Sequence, residues 1–170
     1  MISGFEEARL IHLGVLQAVP VFDRKVLVCD IGGGSTELVV GSQGQIFNAR
    51  SLKLGSIRLT RRYFPGSRLS PAAVDACRDD IRLTLAPAVR EVLRAGYDVA
   101  VGSSGTIEAV CQMVAARSAA RDGTPVPRTF NNFTITRDDI DGVVRRLVKA
   151  PTVKERARTP GLDPRRADII

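Results

Sequence analysis

Residues 25–41, KVLVCDIGGGSTELVVG, decide the fold. An apolar run from Val26 to Cys29 ends on Asp30; Gly32, Gly33, Gly34, Ser35, Thr36 and Glu37 follow, and a second apolar run covers Leu38 to Val40. Two β-rich segments joined by such a loop predict a tight hairpin. Three successive positions without a Cβ let the backbone close on a small group, and converging N–H groups beside Ser35 and Thr36 suit a phosphate. Asp30 and Glu37 stand at the two mouths of the turn, where paired carboxylates suit a divalent cation held on that phosphate. The bland alternative is a glycine-rich turn with two surface acids. The combination of Asp, three glycines, Ser-Thr and Glu within one hairpin favours the phosphate.

The bulk numbers set wide bounds. A chain of 170 residues is long enough for one domain with a real core. Apolar and charged contents of 44% and 25% are those of an ordinary globular chain. The formal charge of +7 favours polyanionic partners. The basic residues are nearly all arginine, however, with only Lys25, Lys53, Lys149 and Lys154 as lysines, a pattern that genome composition alone can produce. Nucleic acid is not expected, because no basic run is interleaved with the few aromatic residues. Cys29, Cys77 and Cys111 are odd in number and lack CxxC spacing, which fits a reducing cytoplasm and inert buried thiols. His12 is the only histidine, so a histidine-based zinc site or a Ser-His-Asp triad is excluded, and any metal must rest on oxygen ligands, as magnesium does. No basic n-region with a long apolar run predicts a leader or a membrane span.

Ahead of the hairpin, Ser3 and Glu6 form a capping-box pattern, and Ala8, Ile11, Val15 and Ala18 recur at helical spacing until Pro20. Glu7 lies about 100° round the helix from Glu6 and is free to face either water or a cleft. His12 is read as a packed or partly exposed helix residue. After the hairpin, Ser42, Gln43 and Gly44 form a turn and residues 45–53 a third strand of an antiparallel meander. A short helix over 57–64 carries Arg58, Arg61 and Arg62, either a polyanion channel or a solvated face. Ser70 and Pro71 open a long helix with Val74, Cys77, Ile81 and Leu85 inward. Pro87 should kink or split it before Val89, Val92 and Leu93 resume the stripe, and Gly96 ends it.

Residues 97–101 predict a strand running into Gly102, Ser103, Ser104, Gly105 and Thr106, after which Ile107, Val110, Cys111 and Val114 continue as a helix. Strand, small-residue turn and helix N-terminus make an anion-binding corner, or simply a tight βα turn. Residues 121–133 read as an exposed loop. Thr136 caps a helix over 137–149 with Ile140, Val143, Val144 and Leu147 inward, a short helix covers 152–158, and Asp163 with Pro164 starts another.

Four stretches resemble the exopolyphosphatase/guanosine pentaphosphate phosphohydrolase (Ppx/GppA) family of the actin-like ATPase superfamily, in the family's order. SGFEEARLIHLGV (3–15) is similar to its SG-x-EEARLI-x-x-GV segment, DIGGGSTEL (30–38) to its second phosphate loop, SLKLGSIRLTRRYF (51–64) to LGxxRLTxxF, and GSSGTIEAV (102–110) to its G-x-SGT loop. PGLDPRRADII (160–170) also resembles the family's PGL-x-x-x-RAD-I-I. The resemblance implies a ribonuclease-H-like, actin-like ATPase domain of α/β class: a mixed sheet with a three-stranded antiparallel meander and flanking helices. It implies one domain over 1–170, the second lobe of the family core; nothing in the sequence matches the D-x-GSNS loop of the first.

By position the resemblance makes Glu7 the base that activates water and gives Asp30 and Glu37 to magnesium. Gly32, Gly33, Gly34, Ser35 and Thr36 would hold the phosphate, with Ser103, Ser104, Gly105 and Thr106 on further phosphates or a guanosine. The implied reaction is release of the terminal phosphate from inorganic polyphosphate or guanosine pentaphosphate in the cytoplasm, with no membrane involved and with a homodimer compatible with the resemblance. Two other readings stay open: an ATPase or kinase of the same superfamily, against which the EEARL segment speaks, and a non-catalytic domain that binds polyphosphate or a guanosine alarmone.

Overall fold

Alternation along the hairpin sets the layers, and the computed structural model describes them over residues 4–169. β1 (Val26–Ile31) and β2 (Thr36–Ser42) pair antiparallel, with Val28 opposite Val39 and Cys29 opposite Leu38. Val26, Val28 and Val39 point to one face, where Ala8 and Val15 of α1 (Gly4–Ala18) cover them. Leu27, Cys29, Leu38 and Val40 point to the other, against Ala88 and Val92 of α3 (Pro71–Ala95). Helices on both faces bury the central strands, which is why β2 is buried from Thr36 to Gly41 and its middle, Leu38 to Val40, is apolar without alternation.

The third strand, β3 (Gln45–Leu52), joins β2 through Gln43 and Gly44, both at positive φ (51° and 80°), a turn whose twist suits a two-residue hairpin. A bulge shifts the register from Gly41–Ile46 to Val40–Asn48, so Phe47 is the inserted residue. That shift brings Ile46 and Ala49, an odd number of residues apart, onto the same α1 face. β4 (Val99–Ser103) runs parallel to β1, giving the order β3-β2-β1-β4. The mixed sheet built on an antiparallel meander is the expected architecture.

Capping chemistry fixed most helix starts. Ser70 accepts from the Ala73 N–H, Thr136 makes a capping box with Asp139 before α5 (Arg137–Val148), and Thr152 does so with Glu155 before the single-turn α6 (Val153–Arg156). The expected N-cap Ser3 lies outside the described residues, as does Ile170. The start at Asp163 is one 3-10 turn, Pro164–Arg166. The loop after α4 (Ser104–Asp122) begins only at Gly123, whose left-handed φ of 66° closes the helix.

Pro87 does not split α3, which is continuous over 25 residues with Pro87 on its exposed face, where water can take the Leu83 carbonyl that lacks its helical donor. The helical phase therefore carries through. Ala88 and Val92 extend the inner stripe, while Val89 and Leu93, expected inside, face out. Ile140 and Val144 likewise stay exposed on α5, where only Val143 and Leu147 are buried, against α4.

Candidate phosphate-binding site

The hairpin turn is four residues long, because β1 extends to Ile31 and β2 starts at Thr36. The Gly32 N–H donates to the Ser35 carbonyl across it (3.0 Å). The carbonyls of the three glycines are taken by the helix that follows β3, α2 (Ser56–Tyr63). The Ser56 N–H donates to Gly32 O (2.9 Å), the Arg58 N–H to Gly33 O (3.1 Å) and Arg58 Nε to Gly34 O (2.8 Å). In a trans peptide the carbonyl of one residue and the N–H of the next point in opposite directions. The amides of Gly33, Gly34 and Ser35 therefore point away from α2, and none has an intramolecular acceptor among the described residues. This row of three donors differs from the expected one. The Gly32 amide closes the turn, and the Thr36 hydroxyl is buried, donating to Leu54 O (2.9 Å).

Gly55 makes the docking of α2 possible. A Cβ there would collide with the Gly33 carbonyl and the Gly34 nitrogen. Leu54-Gly55-Ser56 is thus the seat of the glycine loop.

Asp30 and Glu37 are direct cross-strand partners, so their side chains share one face, the α1 face. Asp30 also pairs with Ser103 on β4. Glu37 is 4% exposed and accepts from Ser51 Oγ (2.7 Å), a partner the sequence reading did not single out. Both carboxylates act on Cys29, whose thiol is pushed up first by burial and then by these two charges. Glu7 lies on the first turns of α1 and is exposed. The described residues hold no cluster of three acids or other ligands able to hold a metal by themselves, so Glu7 does not join Asp30 and Glu37 in one group. Two carboxylates on one face are nonetheless what magnesium commonly takes from protein when phosphate oxygens and water complete its shell. In that sense the residues fit the ion.

The second corner is tighter than expected. β4 runs to Ser103 and α4 starts at Ser104 with no turn between them. Ser104 has φ 75°, a conformation few non-glycine residues adopt, and its hydroxyl donates to Ile31 O (2.6 Å). That bond ties the start of α4 to the end of β1, next to the glycine loop. No side chain caps α4, so its first amides and the positive end of its dipole remain for an anion. A Cβ on Gly105 would lie 3.0 Å from Arg166 Nη1, so a guanidinium stands over this helix start. Composition gave no signal for Arg166; its place beside residues 103–106 is a matter of tertiary structure. Arg62 is turned away, paired with Asp80 (3.1 Å) and stacked on Tyr63. Among the described residues, no helix is long and apolar enough to cross a membrane.

The family profile of the Ppx/GppA phosphatases matches residues 1–170. Among solved structures, the chain is similar to an exopolyphosphatase from Cytophaga hutchinsonii, with 27% identity and a TM-score of 0.77 over 99% of this chain and 53% of that one. It is equally similar to an exopolyphosphatase-like protein, with 27% identity and a TM-score of 0.80 over 99% of this chain and 52% of the other. A Ppx/GppA family member from Aquifex aeolicus shares the fold at 23% identity and a TM-score of 0.74, covering 99% of this chain and 51% of its own. The chain thus spans about half the length of these structures.

Proposed function

The chain belongs to the Ppx/GppA phosphatase family, and from that premise we propose that it is the phosphate-holding part of a magnesium-dependent phosphohydrolase that removes the terminal phosphate of inorganic polyphosphate or guanosine pentaphosphate. The carrying observation is the row of Gly33, Gly34 and Ser35 amides, turned outward because α2 occupies the loop's carbonyls. Donors fixed before the substrate arrives stabilise charge where it develops, without reorganisation during the reaction. The terminal phosphoryl group binds this row. The next phosphates run toward the start of α4, where Arg166 adds charge.

Asp30 and Glu37 would hold magnesium, which when bound neutralises charge on the phosphoryl oxygens. Ser51 and the cross-strand register keep Glu37 in place for that task. Glu7 accepts a proton from the attacking water as the new P–O bond forms and the bond to the leaving phosphate breaks. The domain is the second lobe of a two-lobed core by this reading. A binding domain without turnover is the competing reading, favoured by the chain spanning about half the length of the solved relatives.

The test is magnesium-dependent phosphate release from long-chain polyphosphate by this chain, with Glu7→Gln as control. Release that disappears in the variant, with unchanged thermal stability, supports the mechanism. Tight polyphosphate binding without release favours the binding domain, and release that survives Glu7→Gln removes Glu7 from the reaction.

A further inference from the structure

The end of the sheet away from the glycine loop holds an open pocket of about 500 Å3, between the C-terminal end of α3 and the bulged strand β3. Lys25, Phe47, Arg50, Glu91 and Arg94 line it. Lys25 precedes β1 and Asp30 lies near its far end, so roughly 17 Å of extended strand separates this pocket from the acids of the phosphate site.

The bulge supplies a ring. Phe47 is the residue inserted at the register shift, so it escapes the alternation of β3 and stays 51% exposed. The Lys25 ammonium stands 5.2 Å from the ring centroid, a cation–π contact that steadies the ring. The lining also supplies charge. Arg50 spends Nε and Nη2 on Glu91 (2.6 Å each), which leaves its Nη1 edge uncommitted. Arg94 makes no hydrogen bond or ion pair among the described residues. Three cations face one carboxylate, so the lining carries a surplus of two positive charges. A helix C-terminus ordinarily repels an anion. Here Lys25 Nζ donates to Ala95 O (2.7 Å) and covers that end of α3 with positive charge.

We propose that this pocket binds a small phosphate monoester carrying a flat ring, the chemistry of a nucleoside monophosphate. The phosphate lies between Arg94 and the open edge of Arg50, and the base stacks on the exposed part of Phe47. The volume falls within the roughly 300–1,000 Å3 of small-ligand sites. A lone phosphate would leave most of it to water, and an uncharged ring would leave the surplus cations unused. One aromatic residue gives one stacking platform, which suits a mononucleotide and not a strand.

Titration of the chain with adenosine 5′-monophosphate, followed by calorimetry and by the backbone amide signals in NMR, tests this. The dissociation constant should be on the order of 0.1 mM, because an open pocket falls short of the ligand efficiency of an enclosed one. The shifts should centre on residues 25, 47 and 94 and spare the glycine loop. Inorganic phosphate and adenosine should each bind at least about tenfold more weakly. Phe47→Ala should raise the dissociation constant at least about fivefold, the lower end of what one stacked base contributes. Arg94→Gln should do the same, while Arg94→Lys keeps it within about threefold. Both positions are exposed, and circular dichroism checks that the fold is intact. No binding at about 10 mM nucleotide, far above the expected constant, overturns the proposal. So does an affinity indifferent to Phe47→Ala, inorganic phosphate binding as tightly as the nucleotide, or a response confined to the glycine loop.

Discussion

Gly55→Ala is a sharp test of how the phosphate loop is held. Gly55 has φ −80° and ψ 151°, a conformation alanine adopts without strain. Considered only as backbone, the substitution should stabilise the protein by about 0.4–1 kcal/mol through the unfolded chain. The surroundings say the opposite. The new Cβ would meet the Gly33 carbonyl and Gly34 nitrogen, which are main-chain atoms and cannot rotate aside. Either α2 or the loop must withdraw, and the Ser56–Gly32 and Arg58–Gly33 hydrogen bonds go with it. Two such bonds at about 1 kcal/mol each, with an overpacking cost of about 1–3 kcal/mol, leave a net loss of roughly 2–4 kcal/mol. For a chain of this size that is a fall in melting temperature of roughly 5–15 °C. Urea unfolding of the two proteins gives the sign directly. Polyphosphate binding should weaken in parallel, because the Gly33, Gly34 and Ser35 amides lose their backing. A variant as stable as the parent, or more so, would refute the idea that α2 aims the loop.

Three further outcomes follow from buried or paired groups. Arg156 is almost wholly buried and donates to the carbonyls of Ser67, Ala150, Pro151 and Ala167. Arg156→Met would leave them unsatisfied and should cost about 3–5 kcal/mol in denaturant unfolding. His12 is fully buried with no hydrogen-bond partner on either ring nitrogen, and burial pushes its pKa below the usual 6.5. As pH falls below 6.5 the unfolded chain takes a proton that the folded chain refuses, so stability should drop there, and His12→Met should flatten the drop. Glu91 accepts from Arg50 and Asn48, which hold its carboxyl down to about 2 from the usual 4.5. The stability this gives is present above 4.5 and lost as pH falls toward 2. An NMR titration should place the Glu91 midpoint near 2, and a normal midpoint would show that the pair is not formed in solution.

The sequence by itself determined the local elements. The hairpin, the start of α3 at Ser70-Pro71, its end at Gly96 and the Thr136 cap were legible because their determinants lie within a few residues of one another. The residues marked for phosphate and metal do meet at one end of the sheet, where Asp30 pairs with both Glu37 and Ser103. Which groups are available there was not legible. The Gly32 amide and Thr36 hydroxyl are used internally, Ser51 holds Glu37, and Arg166 comes to Gly105 from 61 positions along the chain. The direction of a loop's peptides is set by what packs on it, and here that is a helix more than twenty residues downstream. The same holds for Leu83 and Leu93: helical periodicity supplies two faces, and only packing against the sheet decided which one turned inward.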